Sequence, residues 1–245
     1  MRNLFEKLKN NLQEKGWKKT MAVVFNFSKN KMLSNKKIKM ALLKKYVNQH
    51  NKAYAKISQL AVSLNNGIHP KHSIMKYHQF FLDNILATDK ILDAGSGTGL
   101  IAHKIAQKAK TVTGVDNNEQ HIKEAREKYG RDNLKFILAD LNNYQTEDKF
   151  DKIILSNVLE HIENRIELLK KLGTLAPIIL VRVPLITRDW MTVYKKQMGL
   201  EYRLDDTHYI EYDIATLQNE VNAAGLKIES WQVNWGEWWG VLKQP

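Results

Sequence analysis

The 245-residue sequence contains no cysteine. Disulfides, thiolate metal centres and cysteine nucleophiles are therefore excluded, and a reducing compartment is the simpler expectation. Long hydrophobic runs are missing as well. Met21 to Phe27, the longest near the N-terminus, is far too short to span a bilayer. A basic stretch precedes it, but it is too short for the core of a signal peptide, and no small-residue cleavage site follows. The reading is a soluble, cytoplasmic protein. Acidic residues are scarce in one quarter of the chain. Residues 1–60 hold 15 Lys/Arg against 2 Asp/Glu, a net of +13, whereas residues 61–245 balance to −1. Two readings compete for this excess: a surface for an anionic partner, or a solvated lysine-rich helical face. Apolar residues make up 43% of the chain, enough for a packed core.

Residues 1–67 read as a basic helical segment. Ile38, Leu42, Leu43, Tyr46 and Val47 share one face, Ile57, Leu60, Ala61 and Leu64 continue the stripe, and Asn65-Asn66-Gly67 stops it. From Ile68 to the C-terminus the pattern becomes an alternation of short apolar runs with helical ones. Strands are expected at Ile91–Asp93, 111–116, 134–140, 150–157 and 177–184. A polar, aromatic stretch runs from Leu185 to Asp213, then a helix ends at Gly225. Two final strands with a short link suggest an antiparallel hairpin at one edge. Alternating strands and helices predict an α/β fold, Rossmann-like and doubly wound, over residues 68–245.

Three glycines, Gly95, Gly97 and Gly99, lie between the first strand and the next helix. Glycine there allows positive φ and close approach of a ligand to the backbone. The spacing is G-x-G-x-G, unlike the G-x-G-x-x-G of dinucleotide sites, and no Lys-Ser/Thr follows as a P-loop needs. Asp93, just before the loop, would repel a pyrophosphate but suits a cationic ligand. Asp116 ends the second strand, where a carboxylate can accept from a ribose diol. Asp140 ends the third strand, within reach of an adenine amino group.

The stretches "ILDAGSGTG", "VTGVD", "FILADL" and "FDKIILSNVLEHI" resemble the successive motifs of class I S-adenosylmethionine-dependent methyltransferases. The resemblance implies a seven-stranded sheet of order 3-2-1-4-5-7-6 with its last strand antiparallel, and S-adenosyl-L-methionine as cofactor. It assigns Asp93 and the loop Gly95, Ser96, Gly97 and Gly99 to the amino-acid end of that cofactor. Asp116 with Asn117 goes to the ribose, and Asp140 with Leu141 to the adenine. Ser156 faces donor and acceptor, and the segment carrying His72 and Tyr77 closes over the carboxylate end.

Methyl transfer to a hydroxyl needs alignment and removal of a proton. His161, after the fourth strand, and His208, after the fifth, are the candidate bases. "NVLEH" is also similar to the Glu-x-x-Glu-His pattern, with a later histidine, of a metal-using branch. Asn157 replaces the first glutamate while Glu160, His161 and His208 remain, so no metal is assigned, and a divalent ion at these three stands as the alternative to Glu160 as a capping residue. Trp190, Tyr194, Tyr202 and Tyr209 offer aromatic walls, and Arg182, Arg188 and Arg203 offer polar contacts. These stretches are similar to methyltransferases of surface-glycan biosynthesis, which implies O-methylation of a sugar or glycan hydroxyl. The alternatives are a quinone-type small-molecule O- or C-methyltransferase, and an RNA or protein methyltransferase using the basic arm. "SNVLEH" stands where amine-methylating relatives carry an Asn/Asp-Pro-Pro-Tyr-type sequence, which favours oxygen or carbon. The expected partners are a small-molecule or glycan acceptor and an anionic membrane touched through residues 1–60, ahead of nucleic acid.

Overall fold

A computed structural model describes residues 35–245, together with Glu6 of the stretch before them. The rest of the basic segment lies outside the described residues. The chain divides into two compact units, residues 1–60 and 61–245. Helix α1, Lys36–Leu64, begins in the first. It carries seven lysines and no acidic residue, and Val47 is its buried residue. No helix among the described residues is long and apolar enough to cross a membrane.

In the second unit, short helices α2 (Lys71–Met75) and α3 (Tyr77–Asp83) lead into β1 (Lys90–Ala94). There follow α4 (Leu100–Ala106), β2 (Thr111–Asp116), α5 (Glu119–Lys128), β3 (Leu134–Leu138) and β4 (Lys152–Ser156). A 3-10 turn at Leu159–His161 precedes α6 (Arg165–Leu175) and β5 (Ile178–Pro184). A second such turn, Ile186–Arg188, precedes α7 (Trp190–Gln197) and α8 (Ile214–Ala223). Strands β6 (Lys227–Asn234) and β7 (Glu237–Lys243) end the chain. The seven strands form one sheet in the order β3-β2-β1-β4-β5-β7-β6. Strands β1 to β5 pair in parallel, and β7 runs antiparallel to both β5 and β6. The expected topology is therefore the observed one.

The sheet divides two apolar layers, and the period-2 alternation of side chains decides which residue joins which. Leu92, Leu155, Val181 and Trp238 face one layer, while Ile91, Ile154, Leu180 and Trp239 face the other. Both faces of the central strands are buried, so these strands read as near-continuous apolar runs, broken in β1 by Asp93. Edge strand β6 is mostly exposed.

The stretch 185–213, read from the sequence as polar and aromatic with no element assigned, contains α7. Asp189 nucleates it: its carboxylate accepts from the Thr192 amide at 2.7 Å and from the Thr192 hydroxyl at 2.7 Å. The aromatic and β-branched residues inside mask the helix in the sequence. Gly225 follows α8 at φ 77°, a left-handed position at the helix end where glycine carries no Cβ penalty.

Candidate active site

The carboxyl ends of the parallel strands carry the predicted residues, and the turn after β1 is shaped by its glycines. A Cβ on Gly99 would lie 2.6 Å from the Phe136 ring and 2.9 Å from Ala125, and one on Gly95 would strike Val158. These two glycines serve packing: one seats the loop on β3 and α5, the other on the turn after β4. Gly97 differs. It has φ 52°, and a Cβ there would meet nothing within 4 Å, so its backbone borders open space.

Asp93, at 1% exposure, lies in β1 just before this loop. Apart from the Ala102 amide, which offsets part of its pKa shift, neither of its carboxylate oxygens has a hydrogen-bond partner among the described residues. Burial pushes its pKa up to about 7, and the like charge of Asp116 adds to the shift. The Ser96 hydroxyl is likewise buried and without a partner among the described residues. A buried, poorly partnered carboxylate just before open backbone fits a cationic ligand group that supplies the missing donors.

Asp116 is tied into the loop. It accepts from the Gly97 amide at 2.9 Å, the Asn118 amide at 3.0 Å and His121 Nδ1 at 3.2 Å. A carboxylate has about four acceptor sites, so capacity remains for a diol. His121 is a site residue that sequence reasoning missed; its place one helical turn after the Asn118 cap is the available signal. Asn117 is exposed, as is Asp140, whose Oδ1 accepts from the Asn142 amide at 2.9 Å. The Leu141 side chain packs in the core.

On the neighbouring strands, Arg182 is buried and makes a bidentate pair with Glu237, at 2.5 and 2.7 Å. Its remaining Nη1 donates to Ser156 Oγ at 3.1 Å, and its guanidinium lies 3.6 Å from the centre of the Tyr77 ring. Tyr77 in turn meets His72 Nδ1 in a short hydrogen bond. Burial raises the Tyr77 pKa to about 12 and lowers that of His72 to about 4, the charge of Lys71 adding to the latter. His72, Tyr77 and Ser156 thus converge on one buried guanidinium.

The three arginines expected to meet an acceptor are all engaged with carboxylates. Arg182 pairs with Glu237, Arg188 with Glu211, and Arg203 with Glu201. Arg188 and Glu211 instead build the scaffold of a second cluster. The amide of Tyr209 donates to the Glu160 carbonyl at 2.8 Å, clipping segment 205–212 onto the turn after β4. This places the His161 and His208 rings edge to face, with centroids 4.5 Å apart. His208 Nδ1 bonds Glu211 Oε1 at 2.9 Å, and His161 Nδ1 bonds Thr207 Oγ1 at 2.8 Å. Burial would raise Glu211, but hydrogen bonds from His208 and the Leu204 amide, with the Arg188 charge, hold it below the usual carboxylate range. His161 is lowered by burial and then by the charge of His208. Beside the rings sits Glu160, fully buried and, apart from its own backbone amide, without a partner for either oxygen among the described residues. Burial lifts it to about 8. Sequence reasoning names both histidines and reads Glu160 as either a metal ligand beside them or a capping residue, but it misses Glu211 as part of the site.

Trp190, Tyr194 and Tyr209 of the cover are exposed. A groove of about 410 Å³ lies elsewhere, between α3 and the β6–β7 hairpin, and holds none of the predicted site residues.

Residues 91–175 match a family described as a methyltransferase domain. (S)-coclaurine N-methyltransferase of Papaver somniferum is 36% identical over 88 residues, 34% of this chain and 25% of its own length. Malonyl-[acyl-carrier protein] O-methyltransferase 2 of Ilyobacter polytropus is 31% identical over 88 residues, 35% of this chain and 34% of its own. The chain thus spans between a quarter and about a third of these relatives. Among solved structures, a TehB-like S-adenosylmethionine-dependent methyltransferase from Corynebacterium glutamicum is 15% identical, with TM-score 0.55 over 81% of this chain and all of that one. Residues 91–175 match a methyltransferase domain family, and the sheet around them shares the fold of that S-adenosylmethionine-dependent methyltransferase structure.

Proposed function

We propose that this protein is an enzyme that transfers a methyl group from S-adenosyl-L-methionine to a small-molecule acceptor. The observation that carries the reading is the buried, poorly partnered carboxylate of Asp93 in β1, followed at once by a glycine loop whose Gly97 borders open space. When bound, the cofactor supplies a methyl group already activated as a sulfonium. Asp93 takes its ammonium group, Asp116 its ribose hydroxyls, and the turn after β3, at Asp140 and Leu141, its adenine. His72 and Tyr77 shield the far end, and Ser156, fixed by Arg182, borders the place where donor and acceptor meet.

The acceptor's proton goes to the cluster after β4. His208 is its anchored member, because Glu211 fixes the ring through Nδ1 and leaves Nε2 to act as base. We favour a hydroxyl on a ring-shaped acceptor, such as a sugar, against the aromatic faces of Trp190, Tyr194 and Tyr209. A second reading, methylation of an amine, draws on the named activity of the poppy relative. The family match ends at residue 175, ahead of the cover that would select the acceptor. The lysines of α1, with no acidic residue among them, suit peripheral contact with an anionic membrane.

Calorimetric titration with S-adenosylhomocysteine tests the cofactor site. Binding to the wild type with loss in both Asp116→Ala and Gly97→Arg is expected; unchanged affinity in both variants refutes the assignment. Labelled methyl donor offered with sugars and amines in parallel separates the two acceptor readings. Pelleting with anionic vesicles, compared with Lys44→Glu/Lys45→Glu/Lys52→Glu, tests the helix; equal pelleting rejects the membrane contact.

A further inference from the structure

We propose that Glu160, His161 and His208 form a binding site for one divalent cation of the zinc, manganese, iron or cobalt kind. Each side chain offers one donor atom, and the three atoms lie within 4.8 Å of one another. The sequence argues against a metal, because Asn157 stands in place of a carboxylate. The folded chain brings together a sufficient set without it: two imidazoles and one carboxylate, with coordination positions left open.

The hydrogen bonds around the cluster say which atoms are offered. Thr207 Oγ1 donates to Asp205 Oδ1 at 2.7 Å, so it accepts from His161 Nδ1–H. Glu211 is a carboxylate held by Arg188 and by the Leu204 amide, so it accepts from His208 Nδ1–H. Both rings therefore carry their proton on Nδ1 and present a bare Nε2. An outer carboxylate or hydroxyl that fixes the tautomer of a ligating histidine is the usual support of such a metal site.

Glu160 supplies the independent observation. It has 0% exposure, and apart from its own backbone amide neither oxygen meets a donor among the described residues. Protonation would remove the charge but leave the acid proton without an acceptor among the described residues. Of the neighbouring cations, Arg182 is matched by Glu237 and Arg188 by Glu211, and Lys71, which feels the charge of Glu160, makes no ion pair with it among the described residues. A cation held among the three side chains would satisfy this carboxylate. The mixed nitrogen and oxygen set selects against calcium and magnesium, which prefer oxygen ligands. The side-chain oxygen of Asn157, also buried and without a partner among the described residues, belongs to the same turn region.

The inference rests on the proposed function only for the ion's use, which is to hold the acceptor oxygen at an open position and ease loss of its proton. In the loaded enzyme His208 Nε2 would be a ligand and not the base, the bound ion would lower the pKa of the acceptor hydroxyl, and its proton would leave to solvent water. Binding itself is read without turnover. Full-length protein, stripped with a chelator, is titrated with Zn²⁺ and with Co²⁺, using Mg²⁺ as the contrast. One Zn²⁺ or Co²⁺ per chain is expected, with the visible absorption of protein-bound Co²⁺. Glu160→Gln and His208→Ala should each weaken binding roughly 100-fold, and Glu211→Gln about tenfold through loss of the ring's support. His161→Asn, at the exposed edge of the cluster, guards against loss of folding in the buried variants. No stoichiometric cation in the wild type, or wild-type affinity in both Glu160→Gln and His161→Asn, overturns the proposal. S-adenosylhomocysteine is titrated into the same samples. Cofactor binding without a cation removes only the metal site, and a cation without cofactor binding removes only the methyltransferase reading.

Discussion

The two sides of the sheet's carboxyl rim are built differently. At the glycine loop the contacts are close in sequence: Gly97 to Asp116 spans 19 residues, and Asn118 to Asp116 spans two. Few charges are buried there, and Asp93 is left without a partner other than the Ala102 amide among the described residues. On the acceptor side the joining contacts are distant. His161 meets Thr207 across 46 residues, and Arg182 meets Glu237 across 55. That side is crowded with paired charges that hold the two histidine rings in place. One side is a backbone cradle prepared for a particular ligand group. The other is a rigid polar frame whose side chains set the chemistry, so a single substitution should act in different ways on the two sides.

The largest effect is expected in the frame. Arg182→Met leaves Glu237 buried without its partner and should cost about 3–5 kcal/mol of stability, read by denaturant unfolding. A loss under about 1 kcal/mol would show that the frame is not held by this pair. In the cradle, Gly99→Ala combines φ 83° with contacts below 3.0 Å to Phe136 and Ala125. It should lose about 2–4 kcal/mol in thermal melting, while Gly97→Ala, with open space around it, should lose about 1 kcal/mol. Equal losses would erase the distinction between packing and ligand-facing glycines.

A pH series sharpens the contrast further. The folded-state pKa of Asp93 is raised by burial to about 7, so the free protein binds that proton more tightly than the unfolded chain does. The resulting contribution to stability is complete below about pH 4 and is lost as pH rises through 7. A cationic ligand needs the ionised form. Affinity for S-adenosylhomocysteine should therefore rise about tenfold between about pH 6 and 8 in the wild type and stay flat in Asp93→Asn. A flat wild-type profile would remove the salt link to Asp93. The smallest effect on stability belongs to the exposed rim. Trp190→Ala should change stability by less than about 0.5 kcal/mol and raise the acceptor KM alone. A shift in cofactor affinity instead would move Trp190 to the other side of the comparison.

How much of each side can be read in advance follows from these separations. Strand ends and acidic residues fall in register along residues 93–140, because each strand-turn-helix unit is a local object with local signals. Asp93, Asp116 and the glycines are therefore legible. The histidines of the frame are visible as residue types, and Glu160 reads as either a metal ligand or a capping residue, but Glu211 looks like part of a polar cover. Arg182, Arg188 and Arg203 look free, because nothing along the chain reveals the carboxylates that pair with them. Helix α7 is hidden for a more local reason: a single Asp189 cap outweighs the weak propensity of the residues behind it.

By itself, the sequence determined the alternation of strands and helices, the hairpin that makes β7 antiparallel, and the acid-glycine loop at the first strand end. Hydrophobic period, turn chemistry and spacing encode those features within a few tens of residues. Only the tertiary structure decided which carboxylates stay paired and which are left bare. It seated Val158 against Gly95, paired Arg182 and Arg188, and enclosed Glu160 beside two oriented imidazoles. The physical reason is that burial and partnership belong to the packed chain: the cost of a bare carboxylate exists only once the fold has removed its water.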